Sequence, residues 1–316
     1  MFMRRLLLGG VVALGTASCA GQPAVTFTNG AADVTGRVMT ARDLLAMPHD
    51  APDARVTYGE DSSQYGELRV PPGPGPHPVV VLIHGGCWRE FSAVGSIGPM
   101  ADAFKAEGVV SWSVEYRRLH QPGGGWPGTY LDVGRAVDHL RSLDGPYNLD
   151  LSRVIVVGHS AGGHLAMWVA ARPRLPASTP LYVADPLPIR GVVDLSGTPD
   201  MSSNALSALP GACGEDVVFA MLGGTPADVP ERYAQTSAIR MLPLGLPQAL
   251  IWGARDDQVP LAIAERYTRA ARRAGDRVRL MVDSTAGHFE TASPNSRLWA
   301  AVRSAALSLL DGTLPP

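Results

Sequence analysis

A serine between glycines lies in the segment VIVVGHSAGGHLA, residues Val154–Ala166. The short apolar run at its start is typical of a buried strand, and a helical pattern begins at His164. Ser160 therefore stands at a sharp strand-to-helix turn, where glycines two positions to either side let strand and helix approach closely. Such a turn presents the hydroxyl at the edge of a sheet, and the helix N-terminus favours developing negative charge there. The pattern predicts that Ser160 is a nucleophile.

A serine hydroxyl is a poor nucleophile until a base takes its proton, so a serine nucleophile requires a histidine elsewhere in the chain. Of the eight histidines, His288 fits best, because it lies in the stretch AGHF on the loop after the last predicted strand. His139 falls in a helical pattern beside charged residues. His159 occupies the variable position before the serine, and His164 lies one turn into the helix, where we expect packing.

The acid that orients the histidine is predicted in the stretch GARDDQVP, residues Gly253–Pro260, which follows a predicted strand. Adjacent residues point in different directions, so only one of its two aspartates can readily face the histidine. Asp256 is the predicted acid, and Asp257 is expected to face solvent or to cap a helix. Asp194, near the end of an earlier strand, is the remaining alternative.

Strands and helices are predicted to alternate along the chain. The strand patterns lie at Arg55–Tyr58, Tyr65–Val70, Val79–Ile83, Val109–Tyr116, Val154–Val157, Gly191–Leu195, Gln248–Trp252 and Val278–Val282, and the helical patterns at Leu131–Leu143, His164–Ala171, Leu261–Ala274 and Arg297–Leu310. The central strands read as continuous apolar runs, which indicates a parallel sheet covered on both faces. The predicted fold class is α/β.

The chain order Ser160, Asp256, His288 resembles the α/β-hydrolase fold, and the resemblance extends over about Val56–Leu310. More narrowly, the stretch HGGCW at His84–Trp88 resembles an esterase branch that carries HGGxW. Further stretches of the same resemblance are GHSAGGHLA, VEYR at residues 114–117, and WP at 126–127 before a helix that carries Asp132. The branch includes kynurenine formamidase-like enzymes and feruloyl and acetyl esterases. The resemblance implies a mostly parallel sheet with helices on both faces.

Attack on an ester carbonyl creates an oxyanion that needs preorganised N–H donors. The resemblance implies that Ala161, Gly86 and Cys87 supply them. Cys87 departs from the HGGG of the related hormone-sensitive lipase family, and its thiol is expected to be incidental. His84 is expected to brace the loop and Trp88 to pack beneath it. A zinc site at His84 and Cys87 is disfavoured, because structural zinc takes four ligands, and a thiol nucleophile is unnecessary beside Ser160.

The sequence thus predicts a serine carboxylic-ester hydrolase that acts on small or medium acyl esters through an acyl-enzyme intermediate. No cofactor and no metal are implied. A Gly- and Pro-rich insert, Thr198–Leu246, is predicted to form a small helical segment over the site and to select the substrate. The alternative is an arylformamidase, since HGGxW is shared. A peptidase and a non-catalytic binding module are less favoured, because no propeller-like domain is present and no triad residue is missing.

The N-terminus, residues 1–19, predicts an export signal, with Arg4 and Arg5 before an apolar run too short to span a bilayer. The segment Thr16–Cys19 resembles a lipoprotein signal, in which a lipidated Cys19 would attach the protein to the membrane; an ordinary signal-peptidase site is the alternative. Residues 20–50 are predicted to be a flexible tether, and 51–316 the hydrolase domain. The protein is therefore expected in the periplasm or as a membrane-anchored lipoprotein.

The composition indicates which classes of partner the protein can bind. A chain of 316 residues with 46% apolar and 18% charged residues can bury a substantial core. A formal charge of −2 argues against a nucleic-acid partner, which would favour clustered basic residues. The expected partner is a small-molecule or polysaccharide-borne ester. A disulfide between Cys87 and Cys213 is conceivable in an oxidising compartment and is not required by the pattern.

Overall fold

The computed structural model describes residues 36–90, 92–201 and 213–314, together with the backbone of 25–27. The export signal predicted at 1–19 lies outside the described residues. In the described part of the chain, none of the helices combines the length and the hydrophobicity that crossing a membrane requires.

Within the described residues, nine strands form one sheet. They are β1 (Val25–Phe27), β2 (Ala54–Thr57), β3 (Tyr65–Arg69), β4 (His77–Ile83), β5 (Val110–Val114), β6 (Leu149–His159), β7 (Gly191–Leu195), β8 (Gln248–Gly253) and β9 (Val278–Asp283). Their order across the sheet is β1-β9-β8-β7-β6-β4-β5-β3-β2. The pairs β2–β3 and β3–β5 are antiparallel and the others are parallel. The predicted α/β class is confirmed.

Helices cover both faces of this sheet. They are α1 (Ala41–Leu45), α2 (Gly98–Ala106), α3 (Gly128–Asp138), α4 (Leu140–Tyr147), α5 (Ala161–Ala171), α6 (Glu215–Leu222), α7 (Pro230–Thr236), α8 (Leu261–Arg273) and α9 (Trp299–Leu310). The residues of the continuous apolar run of β4 are buried on both faces of the sheet. Val79, Val81 and Ile83 belong to the same buried cluster as residues of α3, α5 and α8, whereas Val80 and Leu82 belong to the cluster that contains residues of α2 and α9. Successive residues of a strand point to opposite faces, so a strand buried on both sides must be apolar throughout.

The predicted helices are found, with one change. The pattern Leu131–Leu143 predicts one helix, and the structure divides this region between α3 and α4, which meet at His139. Helix α4 ends at Asn148, which has the left-handed backbone conformation (φ 48°) that commonly terminates helices.

Part of the segment predicted as a tether is folded. β1 pairs in parallel with β9 at the edge of the sheet, and α1 lies within residues 36–50. The helix begins with a capping box, in which the Thr40 hydroxyl accepts the Asp43 N–H and the Asp43 carboxylate accepts the Thr40 N–H. The Met39 N–H also donates to Glu290 at 2.5 Å. The tether prediction is therefore wrong for these residues, because a short helix and a three-residue edge strand leave almost no periodicity to detect.

The order of the strands determines where the functional loops meet. β4 lies between β5 and β6, so the chain leaves β4 and β6 at neighbouring points of one edge of the sheet. Ile83 at the end of β4 is in register with Gly158 near the end of β6. In open α/β sheets, sites form outside the carboxyl ends of the strands where the strand order reverses. The loop at His84–Trp88 and the turn at Ser160 are therefore brought together by the topology.

Candidate active site

Ser160 occupies the turn between β6 and α5 in a strained backbone conformation. Its φ of 57° and ψ of −120° lie in a region that residues with a Cβ rarely adopt. The flanking glycines are required by contact: a Cβ at Gly158 would lie 2.0 Å from the Gly162 carbonyl oxygen, and one at Gly162 would lie 2.1 Å from the Ile83 carbonyl oxygen. The predicted strand, sharp turn and helix are confirmed.

Asp256 and His288 form a buried hydrogen-bonded pair. His288 Nδ1 lies 2.9 Å from Asp256 Oδ2 and 3.1 Å from Oδ1. The carboxylate also accepts the backbone N–H groups of Gln258 and Val259. Asp257 is exposed, as expected. The structure thus brings Asp256 and His288 together as the sequence predicts.

The pKa of Asp256 lies below its ordinary value. Burial alone would raise this pKa, but the hydrogen bond and positive charge of His288, with the N–H groups of Val259 and Gln258, outweigh the burial. The carboxylate is therefore ionised at neutral pH and holds His288 with Nδ1 as the proton donor.

Asp194, the alternative acid, has a different environment. It is fully buried at the end of β7, and its Oδ1 accepts the Gly197 N–H at 2.8 Å. In the part of the chain that the structure describes, its Oδ2 has no hydrogen-bond partner. Burial raises the pKa of Asp194 to about 8, only partly offset by the Gly197 N–H. Asp194 is thus a neutral buried acid, and the contact to His288 belongs to Asp256.

We predict that Asp194 makes stability fall as the pH rises. The unfolded carboxyl releases its proton near pH 4, whereas the folded one keeps it to about pH 8. Between these values the folded state binds the extra proton, so the free energy of unfolding decreases with pH by up to about 1.4 kcal/mol per unit. Asp194→Asn keeps the neutral form and should remove this slope. Urea unfolding at pH 5, 6, 7 and 8 measures the difference between variant and wild type.

The expected result is that Asp194→Asn gains stability relative to the wild type as the pH rises through this window. A difference between Asp194→Asn and wild type that stays constant across these pH values would mean that the carboxyl is not protonated in the folded state.

His159 packs against the predicted base. Their ring centroids are 4.8 Å apart, and His159 Nε2 lies 3.2 Å from the carbonyl oxygen of His288. Burial, followed by the charge of His288, lowers the pKa of His159 to about 3. A neutral His159 can donate to this carbonyl without placing a second positive charge beside His288. Sequence reasoning missed this role, because the contact joins loops 129 residues apart.

The loop after β4 lies against the serine. A Cβ at Gly85 would be 3.0 Å from Ser160 Cβ, so the loop and the nucleophile are in close contact. Gly86, Cys87 and Trp88 all have positive φ, at 113°, 51° and 56°. The Arg89 N–H donates to the Gly86 carbonyl at 2.8 Å and closes a tight turn. The loop is thus a compact backbone structure beside Ser160.

A buried polar cluster braces this loop. His84 Nε2 lies 3.1 Å from Glu115 Oε1, and the Tyr116 hydroxyl donates to the His84 carbonyl at 2.9 Å. Burial would raise the pKa of Glu115, but His84, Arg118 and the Val94 N–H outweigh it and lower the pKa to about 2. Glu115 is therefore a buried anion held among donors. The bracing role expected for His84 is confirmed.

Cys87 forms a disulfide with Cys213, and their Cα atoms are 5.0 Å apart. The expectation that the Cys87 thiol is incidental is wrong. The sulfur is committed to a covalent bond, so it is neither a nucleophile nor a metal ligand. The sequence alone does not establish this pairing, because the two cysteines lie 126 residues apart and no local motif links them.

The insert predicted at Thr198–Leu246 contains α6 and α7, and residues 202–212 lie outside the described part. It lies beside the loop after β4. Besides the disulfide, the Trp126 N–H donates to the Met221 carbonyl of α6 at 2.7 Å, and the Leu119 N–H donates to the Trp88 carbonyl at 2.7 Å. The insert, the segment 117–127 and the loop at His84–Trp88 are thus joined to one another.

The strand order, the strained serine turn and the Asp256–His288 pair define an α/β-hydrolase. The chain belongs to the BD-FAE family, a family of α/β-hydrolase esterases, whose model matches residues 69–269. The expected esterase family is confirmed.

Curated relatives agree with this assignment. The chain is similar to esterase LipC of Mycobacterium tuberculosis, with 28% identity over 246 residues that cover 75% of this chain and 57% of that protein. It is also 30% identical over 132 residues to the probable carboxylic ester hydrolase LipM of the same organism, which covers 40% of this chain and 30% of LipM. The chain spans about half the length of these relatives or less. Nothing among them supports the formamidase alternative.

Solved structures share the fold. Esterase B of Lactobacillus rhamnosis superposes with a TM-score of 0.71 at 18% identity, over 86% of this chain and 89% of that one. A carbohydrate esterase from gut microbiota superposes with a TM-score of 0.69 at 19% identity, over 83% of this chain and 97% of that one. The α/β-hydrolase architecture is therefore shared with these enzymes.

Proposed function

We propose that the chain is a serine carboxylic-ester hydrolase with Ser160 as nucleophile, His288 as base and Asp256 as the acid that orients it. The buried Asp256–His288 pair carries this proposal, because it fixes the imidazole with Nδ1 as donor and leaves Nε2 to accept a proton. His159, which adjoins Ser160 in sequence, packs against His288 at 4.8 Å between rings and places that base beside the serine turn.

In the proposed mechanism, His288 Nε2 takes the Ser160 hydroxyl proton as Oγ attacks the ester carbonyl carbon. The N–H groups of Gly86, Cys87 and Ala161 bind the resulting oxyanion. Collapse of this intermediate breaks the bond to the alcohol, which leaves with the proton from His288. Water then attacks the acyl-enzyme with the same base, and release of the carboxylic acid restores the serine.

The proposed substrates are esters of small or medium acyl groups, free or attached to polysaccharide. The relatives named as carboxylic ester hydrolases favour the ester bond. The solved carbohydrate esterases that share the fold favour a carbohydrate-borne acyl group. The insert, which is joined to the loop at His84–Trp88 by the disulfide, is proposed to limit the length of the acyl chain.

Rates on a substrate panel test this proposal. We expect kcat/KM to be highest for p-nitrophenyl acetate or butyrate and to fall at least about tenfold for a long-chain ester, since a pocket of limited length discriminates by acyl size. Acetylated xylan should release acetate. N-formylkynurenine serves as the amide comparison, and preferential hydrolysis of this compound would contradict the proposal.

We also propose that the protein is exported, with Cys19 as a lipidated N-terminus. The Cys87–Cys213 disulfide supports a compartment outside the reducing cytosol. Intact-mass measurement of the membrane-fraction protein should give a chain that begins at a lipid-modified Cys19. A cytosolic chain that retains Met1 would contradict export.

A further inference from the structure

The loop at His84–Trp88 is held in a conformation that its residues do not favour. Gly86, Cys87 and Trp88 have successive φ values of 113°, 51° and 56°. Glycine adopts positive φ readily, but the Cβ of cysteine and tryptophan clashes with the backbone there. Restraints from outside the loop must therefore hold Cys87 and Trp88.

Trp88 is restrained by packing and by a hydrogen bond. It is 3% exposed, its ring meets the edge of His164 at 5.5 Å between centroids, and its carbonyl accepts the Leu119 N–H. At Cys87 the restraint on the side chain is covalent, because its sulfur is bonded to Cys213. The disulfide therefore acts on the residue whose N–H is a proposed oxyanion donor.

Cys213 is a firm point of attachment. It lies two residues before α6, whose residues Val217, Val218, Met221 and Leu222 are buried in the main core. The Met221 carbonyl accepts the Trp126 N–H at 2.7 Å, which fixes the other end of this short helix to the segment 117–127. Movement of Cys87 away from its position would require movement of a packed helix.

We propose that Cys213 is a positioning residue for ester hydrolysis, which holds the Cys87 N–H toward the forming oxyanion through the disulfide. The proposal rests on the function proposed above, in which Cys87 is an oxyanion donor. An oxyanion donor acts in the transition state, so its misplacement lowers kcat more than it raises KM. If the disulfide only held the insert over the substrate, its loss would raise KM.

The test compares variants made in a Cys19→Ala background, so that Cys87 and Cys213 are the remaining cysteines. In Cys213→Ala we expect kcat for p-nitrophenyl acetate to fall about tenfold, less than the hundredfold or more for complete loss of one donor. KM should change by less than about threefold, as expected for a transition-state contact.

Glycine at position 87 supplies the discriminating variant. In Cys87→Gly/Cys213→Ala, positive φ no longer costs energy, so kcat should recover about fivefold over Cys213→Ala, which corresponds to about 1 kcal/mol. The control Cys87→Ala/Cys213→Ala keeps a Cβ and should not recover. A raised KM with unchanged kcat, or equal kcat in the two double variants, would overturn the proposal.

Reduction of the disulfide in the Cys19→Ala protein, which keeps Cys87 and Cys213, covers the case in which Cys213→Ala does not fold. Treatment of the Cys19→Ala protein with a phosphine reductant should release two thiols and lower kcat, while near-UV circular dichroism stays native. Reoxidation should restore kcat. Unchanged kcat after full release of both thiols would overturn the proposal, whereas an untreated protein without esterase activity would instead refute the proposed function.

Discussion

Replacing Ser160 with alanine is expected to lower kcat/KM for p-nitrophenyl acetate by at least about ten-thousand-fold. Without its Oγ no acyl-enzyme can form, and the proposed oxyanion donors at Gly86, Cys87 and Ala161 would only assist direct attack by water. Because the turn geometry is set by Gly158 and Gly162, the fold should be retained, and circular dichroism together with thermal unfolding should show this.

Ser196→Ala is the matched control. Ser196 also follows the end of a strand, is buried, and has positive φ (53°). It has no role in the proposed mechanism, so its replacement should leave kcat/KM close to the wild-type value. Comparable losses in both variants would mean that the effect of Ser160→Ala arises from disturbed packing at the sheet edge.

Asp256→Asn is expected to lower kcat by about ten-thousand-fold, the loss that follows replacement of the aspartate in a Ser-His-Asp triad. An asparagine amide can donate to His288 Nδ1, which then leaves the proton on Nε2, where it cannot accept the serine proton. The exposed neighbour provides an internal comparison, since Asp257→Asn makes the same chemical change one residue away and should retain activity. Initial rates with p-nitrophenyl acetate at pH 7 to 8 measure both.

The pH dependence adds a second criterion. The pKa of Asp256 lies below its ordinary value. Protonation of this carboxyl should therefore not reduce wild-type activity at any pH above the ordinary pKa of an aspartate. If Asp257→Asn were the inactive variant, the assignment of the acid from the hydrogen-bonded pair would be wrong.

The sequence predicted those parts of the site whose signal is local. Ser160 lies in a short segment that contains its own strand, turn and helix, and the glycines are explained by contacts within that segment and with Ile83. Asp256 and His288 each follow an apolar strand, and parallel strands bring such loops to one edge. The core strands were also predictable from the sequence, because a strand that is buried on both faces must be a continuous apolar run.

Features that depend on distant contacts were not predictable. No pattern links Cys87 to Cys213, and the pairing emerges only when α6 packs beside the loop at His84–Trp88. The contact between His159 and the loop of His288 likewise requires the assembled sheet. β1 and α1 were missed for a different reason, since elements of three and five residues are too short for a hydrophobic period.

Cys87 illustrates both sides of this division. Its proposed backbone role follows from the resemblance of HGGCW to the HGGxW of an esterase branch, whereas the role of its side chain depends on a partner 126 residues away. Sequence reasoning treated the thiol as incidental, and the structure makes it the covalent link between the proposed oxyanion loop and the insert.

Labelling with a fluorophosphonate probe, followed by peptide mass spectrometry, tests whether Ser160 is the activated nucleophile. The probe reacts much faster with a serine that is activated by a base than with other side chains. We expect one adduct per chain on the peptide that contains Ser160, and no adduct in Ser160→Ala. An adduct on another residue, labelling that persists in Ser160→Ala, or an unlabelled wild-type protein would contradict this role of Ser160.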